Sequence, residues 1–233
     1  MKKQKLEDNP FEEEKIAREW IISVENEKGL IRDREIYPEL FEWTKKNNPK
    51  LLVEIGSGQG ICSTKVKLGR SAKYVGIEPS RPLVARARDI YKSHNKKFLI
   101  GSAYKLPLRS GSVDGVFSVN VWFHLKNLDT AAKEIKRVLK KNKRFYIITG
   151  NPSTYEIWER FFFDYKKKKG VLDGKVRVPI QHLSRNIFFL HSLSNIIKSL
   201  EVNGLAIGSV KVIGFAKRDK MRGIFIGIEG YKT

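Results

Sequence analysis

The chain has 233 residues, of which 41% are hydrophobic and 11% aromatic. This length accommodates one domain with a sizeable core, and the composition excludes an intrinsically disordered protein. Lys and Arg number 46 against 25 Asp and Glu, which gives a formal net charge of +21. Such a charge favours anionic partners such as nucleic acid, or is only a solubility property of the surface.

Cysteine and histidine are too sparse to suggest a disulfide framework or a metal site. Cys62 is the single cysteine, and His94, His124, His182 and His191 are scattered without ligand spacing. The first residues contain no apolar signal segment, and no apolar run is long enough to span a bilayer. We therefore expect a cytoplasmic protein without transmembrane segments, and the sequence gives no indication of its oligomeric state.

Hydrophobic periodicity predicts two N-terminal helices followed by alternating strands and helices. The two helices are expected over residues 11–24 and 36–46, before a first strand over 51–55. Further strands are expected over 74–77, 98–100, 113–121 and 145–149, with helices over 83–93 and 128–139. This alternation is typical of a parallel sheet covered by helices on both faces.

The pattern changes after Gly150. Residues 151–190 are rich in aromatic residues and lysine, and we expect them to form a lid inserted over the sheet. A helix over 193–202 and an antiparallel hairpin near 207–213 and 223–229 then complete the fold. The predicted architecture is a single α/β domain, a Rossmann-like three-layer sandwich whose mostly parallel seven-stranded sheet has an antiparallel terminal hairpin strand. Its parts are N-terminal helices (1–50), a ligand-binding core (51–150), the lid (151–190) and a C-terminal helix and hairpin (191–233).

The most informative segment is the glycine loop, Gly56 to Gly60, which directly follows the first strand. Its glycines allow a sharp turn and a close approach of ligand to main chain, and we expect a helix after Gly60 whose unpaired N–H groups face the ligand. The spacing Gly-x-Gly-x-Gly differs from the Gly-x-Gly-x-x-Gly of dinucleotide binding. Glu54 would repel a phosphate and suit an amino group, so a ligand without phosphates is predicted.

A second signal is the acid Glu78 at the end of the second strand. It follows the glycine loop by about 20 residues, where a carboxylate can accept hydrogen bonds from both ribose hydroxyls of a nucleoside. An acid at a strand end is also commonly a helix cap or a surface group. Its position after the glycine loop favours the nucleoside interpretation.

Three segments together resemble successive motifs of the class I S-adenosylmethionine-dependent methyltransferases. They are Val53–Gly60, Val75–Glu78 and Gly101–Leu125, and the resemblance runs from about Tyr37 to Gly150. It implies a Rossmann-like fold and S-adenosylmethionine as the cofactor, with S-adenosylhomocysteine as the product. The motifs do not specify the methyl acceptor.

The resemblance also implies roles for individual residues. The glycine loop would surround the methionine part of the cofactor, Glu78 would hold the ribose, and Asn120 would lie near the sulfonium. The family's third motif usually reads Gly-Asp-Ala, but here Ser102 replaces the aspartate, so the adenine amino group has a weaker partner. The cofactor-binding residues implied are Tyr37, Glu54, Gly56, Ser57, Gly58, Gly60, Glu78, Pro79, Ser102, Ala103 and Asn120.

Methyl transfer from a sulfonium is an in-line displacement that mainly requires positioning, so no catalytic triad is expected. His124, just after the fourth strand, is the candidate general base, or it is bonded to backbone at a helix start. Asp114, which opens the fourth strand, is expected to anchor a turn. Four aromatic residues either wall the acceptor site or pack the insertion onto the sheet: Trp122, Phe123, Tyr155 and Trp158.

Basic residues concentrate between Lys126 and Arg177, where 15 Lys and Arg stand against 6 Asp and Glu. If these charges share one face they indicate phosphate contacts, and if they ring the surface they only solvate it. Three functions are therefore open. The chain is a methyltransferase of a small or medium-sized acceptor, an RNA methyltransferase acting on tRNA, rRNA or a ribonucleoprotein, or a non-catalytic S-adenosylmethionine-binding protein.

Overall fold

Seven strands form one mixed sheet in the computed structural model, which describes residues 9–26, 32–154, 174–180, 183–214, 223 and 225–233. The strands are β1 (Leu51–Ile55), β2 (Lys73–Glu78), β3 (Lys96–Ile100), β4 (Val113–Val119), β5 (Leu139–Gly150), β8 (Leu205–Ile213) and β9 (Phe225–Lys232). Their order is β3-β2-β1-β4-β5-β9-β8, and β9 runs antiparallel to both its neighbours. The predicted fold class, a mostly parallel seven-stranded sheet with an antiparallel terminal hairpin strand, is confirmed.

Helices cover the two faces of this sheet. They are α1 (Glu14–Asn26), α2 (Tyr37–Asn47), α3 (Arg81–Tyr91), α4 (Leu128–Val138) and α5 (Leu193–Glu201). One core cluster lies beneath α4 and α5, and a second lies beneath α2 and α3. Asn203-Gly204 follows the end of α5, and Gly204 adopts the left-handed φ of 76° that is common after a helix. Within the described residues, no helix combines the length and apolarity of a membrane span.

The helix expected after Gly60 is not formed. A single 3₁₀ turn, Ile61–Thr64, stands in its place. The Thr64 hydroxyl donates back to the Ile61 carbonyl, a local bond that competes with helix propagation. The Lys67 N–H then donates to the Thr44 hydroxyl at 2.8 Å, which draws the chain towards α2.

Strand β5 begins six residues before the predicted start at Phe145, directly after α4. Val113 pairs with Leu139 and Gly115 with Arg144, so the intervening residues of β5 bulge outwards. At the tip of this bulge Asn142 has a φ of 61°. Asp114 holds it, since its carboxylate accepts the Leu51 N–H at 3.0 Å and a hydrogen bond from the Lys140 ammonium at 2.8 Å. Asp114 is therefore the structural anchor that the sequence suggested.

Part of the predicted lid is a two-stranded antiparallel sheet formed by β6 (Gly174–Ile180) and β7 (Leu183–Leu190). Residues 155–173, including Tyr155 and Trp158, lie outside the described residues. Strand β7 lies beside the 3₁₀ turn Trp122–His124 that follows β4. His191 Nε2 is 2.6 Å from the Leu125 carbonyl oxygen, which fixes the end of the hairpin to the same loop.

The outer edge of the sheet is formed by β3. Odd-numbered residues of β3 make the backbone bonds to β2, so the Phe98 carbonyl points away from the sheet. The Arg88 guanidinium on α3 donates Nε–H to this carbonyl at 2.8 Å. Ser93 and Lys96 exchange their backbone N–H and carbonyl groups, which occupies the beginning of the same edge.

Candidate functional site

Most of the predicted site residues lie at the carboxyl ends of β1, β2 and β4. These strands are neighbours in the sheet, and the strand order reverses between β1 and β4. In open α/β sheets a crevice forms at such a reversal, outside the carboxyl ends of the strands. The glycine loop leaves β1 at this point, Glu78 ends β2, and Asn120 directly follows β4.

The glycine loop is tied to β2 by its own backbone. The N–H groups of Gly56 and Ser57 both donate to the Ile77 carbonyl, at 2.8 and 3.1 Å, and the Gly60 N–H donates to the Ser57 carbonyl. The sequence predicted unpaired N–H groups in a helix after Gly60; the three N–H groups named here belong to the loop itself and are used inside the protein. A ligand would therefore meet the loop mainly through its exposed Cα surface and not through these donors.

Three positive φ angles explain the glycines of the loop: 71° at Gly56, 50° at Gly58 and 89° at Gly60. A Cβ on Gly56 would lie 2.3 Å from a methyl group of Val121, so no side chain fits there. A Cβ on Gly58 would meet no described atom within 4 Å. Gly56 thus closes the loop against the protein, whereas Gly58 faces open space.

Glu78 joins the second strand to the loop. Its Oε2 accepts the Gly58 N–H at 3.1 Å, and its Oε1 accepts the Ser80 N–H at 2.9 Å. Burial raises the pKa of this carboxyl to about 7, against the opposing effect of these two hydrogen bonds. A carboxylate offers about four lone-pair sites, so two remain for further donors such as hydroxyl groups.

Glu54 lies beneath the loop in a buried polar cluster. Its carboxylate accepts a hydrogen bond from the Tyr74 hydroxyl and interacts with the Cys62 thiol. Burial raises the pKa of Glu54 to about 7 although both donors oppose the shift. The buried Tyr37 ring completes the cluster, with Lys65 Nζ 5.1 Å from its centroid. Glu54 therefore supports the loop from the side of the core, and Tyr37 lies close enough to interact with it electrostatically.

The third motif forms a tight turn after β3. The Ser102 hydroxyl accepts the Tyr104 N–H at 3.1 Å, and Ala103 is buried. The Tyr104 hydroxyl in turn accepts the Lys126 N–H at 2.8 Å, just before α4 begins. The turn is thus braced against the loop after β4. Ser102 is half-buried, as is Pro79 at the end of β2.

Three polar atoms in this region have no hydrogen-bond partner within the described part of the chain: Ser57 Oγ, Gln59 Oε1 and Asn120 Oδ1. All three are buried. Asn120 has a strained φ of 57°, and its own N–H donates to the Ile148 carbonyl at 2.8 Å. Unpaired buried polar atoms are costly, so their concentration at one crevice indicates that a polar ligand completes them.

The N-terminal cover, residues 9–13, lies across the end of β2 and was missed by sequence reasoning. The Phe11 carbonyl accepts the Ser80 hydroxyl, and the Glu12 carboxylate accepts the Arg81 N–H at 2.9 Å. The Phe11 ring meets His124 edge-on, with centroids 6.3 Å apart. Asn9-Pro10 is a readable helix-start signal, but nothing local in the sequence points to Ser80, which lies 69 residues away.

The residues after β4 separate into core and rim. Trp122 is buried in the core, and its indole N–H donates to the Ser118 hydroxyl at 3.0 Å, so it packs the loop and does not wall an acceptor site. Phe123 and His124 are half-buried, with ring centroids 4.7 Å apart. His124 thus lies at the mouth of the crevice, between Phe123 and the N-terminal cover.

Comparison with known proteins agrees with this geometry. Residues 53–147 match the family model described as a methyltransferase domain. The chain is 32% identical over 127 residues to a demethylmenaquinone methyltransferase of Lactococcus lactis, covering 52% of this chain and 49% of that protein. It is 27% identical over 100 residues to the O-methyltransferase rstn1 of Aspergillus nomiae, covering 41% and 44%. The chain thus spans about half the length of the curated relatives it matches.

Solved structures share the whole fold. An S-adenosylmethionine dependent methyltransferase from Mesorhizobium loti superposes with a TM-score of 0.67 at 15% identity, covering 88% of this chain and 99% of that one. At this identity the likeness shows the fold alone.

Proposed function

We propose that this chain, whose residues 53–147 form a class I S-adenosylmethionine-dependent methyltransferase domain, transfers the methyl group of that cofactor to a small or medium-sized acceptor. The observation that carries the proposal is the crevice between Glu78 and the open side of Gly58. A nucleoside without phosphates fits there, because the crevice offers a carboxylate for hydroxyl groups, and the N–H groups of Gly56, Ser57 and Gly58 are already bonded within the protein.

The residues around the crevice fit this cofactor in three parts. Glu78 would accept the ribose hydroxyls with its two remaining lone pairs. Ser102, Ala103 and Pro79 would border the adenine. Tyr37 and Glu54 would act on the methionine end from beneath the loop, where the carboxylate favours a cationic amino group.

The sulfonium, when bound, supplies an electrophilic methyl group, and the protein has to hold the acceptor in line with it. Asn120 would orient the reacting groups through its unpaired buried Oδ1. His124, at the mouth of the crevice, would take a proton from an acceptor whose nucleophile carries one. Phe11 and Phe123 beside His124 would exclude water from the same space.

The small-acceptor class is favoured by the mouth itself. The described side chains at the mouth of the crevice include the aromatic rings of Phe11, Phe123 and His124. Hairpin β6–β7 lies beside this mouth and would cover a compact ligand. The described cations of residues 126–144 include a group around the β5 bulge, at the opposite end of the strands from the glycine loop. This arrangement gives less support to an RNA acceptor in the crevice. The lid role of residues 151–190 and the cytoplasmic location stay predictions.

Incubation of purified protein with methyl-labelled S-adenosylmethionine and fractionated cell extract tests the proposal. We expect label in the small-molecule fraction with the wild-type protein and a large loss of label with Glu78→Gln. Label in RNA would instead support the RNA methyltransferase. Cofactor binding without any labelled product would support the non-catalytic binding protein, and no cofactor binding would overturn all three.

A further inference from the structure

A ridge of cations crowds the amino-terminal edge of the sheet, at the far end from the glycine loop. We define the lysine ridge as Lys136, Lys140, Lys141, Lys143, Arg144 and Lys232. Four of these residues belong to the protruding bulge of β5, Lys136 lies in the last turn of α4, and Lys232 ends β9. Because β4 and β5 run parallel to β1, the ridge lies about 15 Å from the glycine loop, at roughly 3.3 Å per residue.

The ridge carries more positive charge than its neighbours neutralise. Its ion pairs within the described residues are those of Asp114 with Lys140 and Lys143, and of Glu229 with Arg144. Lys136 and Lys141 are exposed, and no salt bridge is found for either among the described residues. Partial burial and the nearby Lys136 lower the pKa of Lys232, so two ammonium groups repel each other here.

An aromatic side chain lies within the ridge. Tyr231 is 39% exposed and pairs across the strands with Arg144, so these two side chains share one face of the sheet, whereas the side chain of Lys232 points to the other face. An exposed ring among cations is typical of surfaces that stack an unpaired base while neighbouring cations hold the phosphates. Surfaces that insert into a membrane interface bury apolar side chains among the lipids, and the bulge from Lys140 to Arg144 contains none, so insertion is not supported.

We propose that the lysine ridge and Tyr231 form a docking surface for single-stranded nucleic acid, separate from the cofactor crevice. The cations contact consecutive phosphates, and Tyr231 stacks one base. The bulge makes the surface convex, and Asp114 keeps its shape by holding both Lys140 and the start of β1. The proposal does not depend on the proposed methyl transfer, because ridge and crevice occupy opposite ends of the strands.

The test is fluorescence polarisation of a labelled oligouridylate, with oligothymidylate to distinguish RNA from DNA. Binding is expected at low salt, with a log affinity that falls by about 0.7 per phosphate contact for each log unit of salt. The double variant Lys136→Ala/Lys141→Ala should bind about tenfold more weakly and lose about 1.4 units of this slope. The matched control is Lys15→Ala/Lys105→Ala, which removes the same charge from exposed residues away from the ridge. It should change the affinity by less than about twofold, because salt screens surface charges that do not contact the oligonucleotide.

Tyr231 distinguishes a built surface from general attraction. Tyr231→Ala should weaken binding about tenfold, as expected for a lost stacking contact, whereas Tyr231→Phe should keep it. Thermal unfolding of each variant checks that the fold is intact. Equal losses in the control pair, no binding at low salt, binding to phosphatidylserine vesicles in place of oligonucleotide, or competition with S-adenosylmethionine would each overturn the proposal.

Discussion

The Glu78 carboxylate accepts the backbone N–H of Gly58, 3.1 Å away, and so joins the tips of the first two strands. The same carboxylate accepts the Ser80 N–H and thereby also fixes the start of α3. One side chain thus sets the spacing of the loop, the strand end and the helix that border the crevice. The consequences of this arrangement can be measured.

Replacing Glu78 tests the ribose contact directly. Glu78→Gln keeps the volume but loses the charge and changes one acceptor into a donor, so cofactor affinity should fall by about 1–3 kcal/mol. Isothermal titration calorimetry with S-adenosylhomocysteine measures this. Glu229→Gln, in the same sheet but near its other end, should leave affinity unchanged. Equal affinities of wild type and Glu78→Gln would refute the ribose assignment.

The two buried carboxyls make cofactor binding depend on pH. Burial raises the pKa of both Glu54 and Glu78 to about 7, and a cationic cofactor favours their ionised forms. Binding should therefore release protons below about pH 7, and affinity should rise as pH increases towards 7, by up to tenfold per unit for each coupled proton, and level off above it. Titrations in buffers of different ionisation enthalpy count these protons. Uptake of protons, or an affinity independent of pH, would contradict the expectation.

The same shifts predict how stability varies with pH in the absence of cofactor. Since the folded-state pKa values lie above the ordinary value of 4.5, the folded protein binds more protons than the unfolded chain between about pH 4.5 and pH 7. The contribution of the two groups to the free energy of unfolding is therefore full at low pH and is lost as pH rises through 7. Urea unfolding across this range measures it, and Glu78→Gln should flatten the dependence.

Two glycines of the loop should respond differently to alanine. Gly56→Ala forces a methyl group against Val121 and should destabilise the fold strongly. Gly58→Ala has room, so it should cost only about 1–2 kcal/mol of backbone strain, yet it places a methyl group where the ligand is expected and should weaken cofactor binding. Gly111→Ala is the matched control, because its φ of 59° and open surroundings are similar but it lies at the other end of the sheet. Equal cofactor affinity in the Gly58 and Gly111 variants would show that no ligand lies over Gly58.

The N-terminal cover should control exchange of the cofactor. Phe11→Ala removes the ring contacts to Trp20 and His124, which are worth about 0.5–1.5 kcal/mol each. Stopped-flow measurements should show that the association and dissociation rates of the cofactor both rise by about three- to tenfold, because losing about 1.4 kcal/mol of closing contacts changes a rate tenfold. The equilibrium constant should change less. Phe41→Ala, an exposed position on α2, serves as the control. Unchanged rates would mean that the cover does not obstruct the crevice.

Local patterns were enough to predict the sheet and the floor of the site. The apolar run before the glycine loop gave β1 its correct bounds, and the acid at the end of β2 was expected at the ligand crevice. Contacts between segments distant in the sequence were not predictable, because they depend on how the helices and strands pack against one another in the folded protein. The bond from Phe11 to Ser80 spans 69 residues, and that from Leu51 to Asp114 spans 63.

The remaining differences have local physical causes. A helix was expected after Gly60 because helices commonly follow such loops, but Thr64 bonds back onto its own turn and Thr44 captures the next backbone N–H. Trp122 was an open choice between core and site. The Ser118 hydroxyl, four residues earlier on β4, accepts its indole N–H, so the ring can be buried without an unpaired donor.

Arg88 has a consequence for how molecules of this protein behave at high concentration. By covering the outward carbonyl of Phe98, it removes the acceptor that an incoming strand would need at the middle of the β3 border. A strand of a second molecule would have to displace the Arg88 guanidinium from the Phe98 carbonyl before the two sheets could pair. This exchange costs free energy, because the guanidinium loses its hydrogen-bond partner. Intermolecular strand pairing at an exposed edge strand is a common route to aggregation, and at β3 the side chain of Arg88 disfavours it.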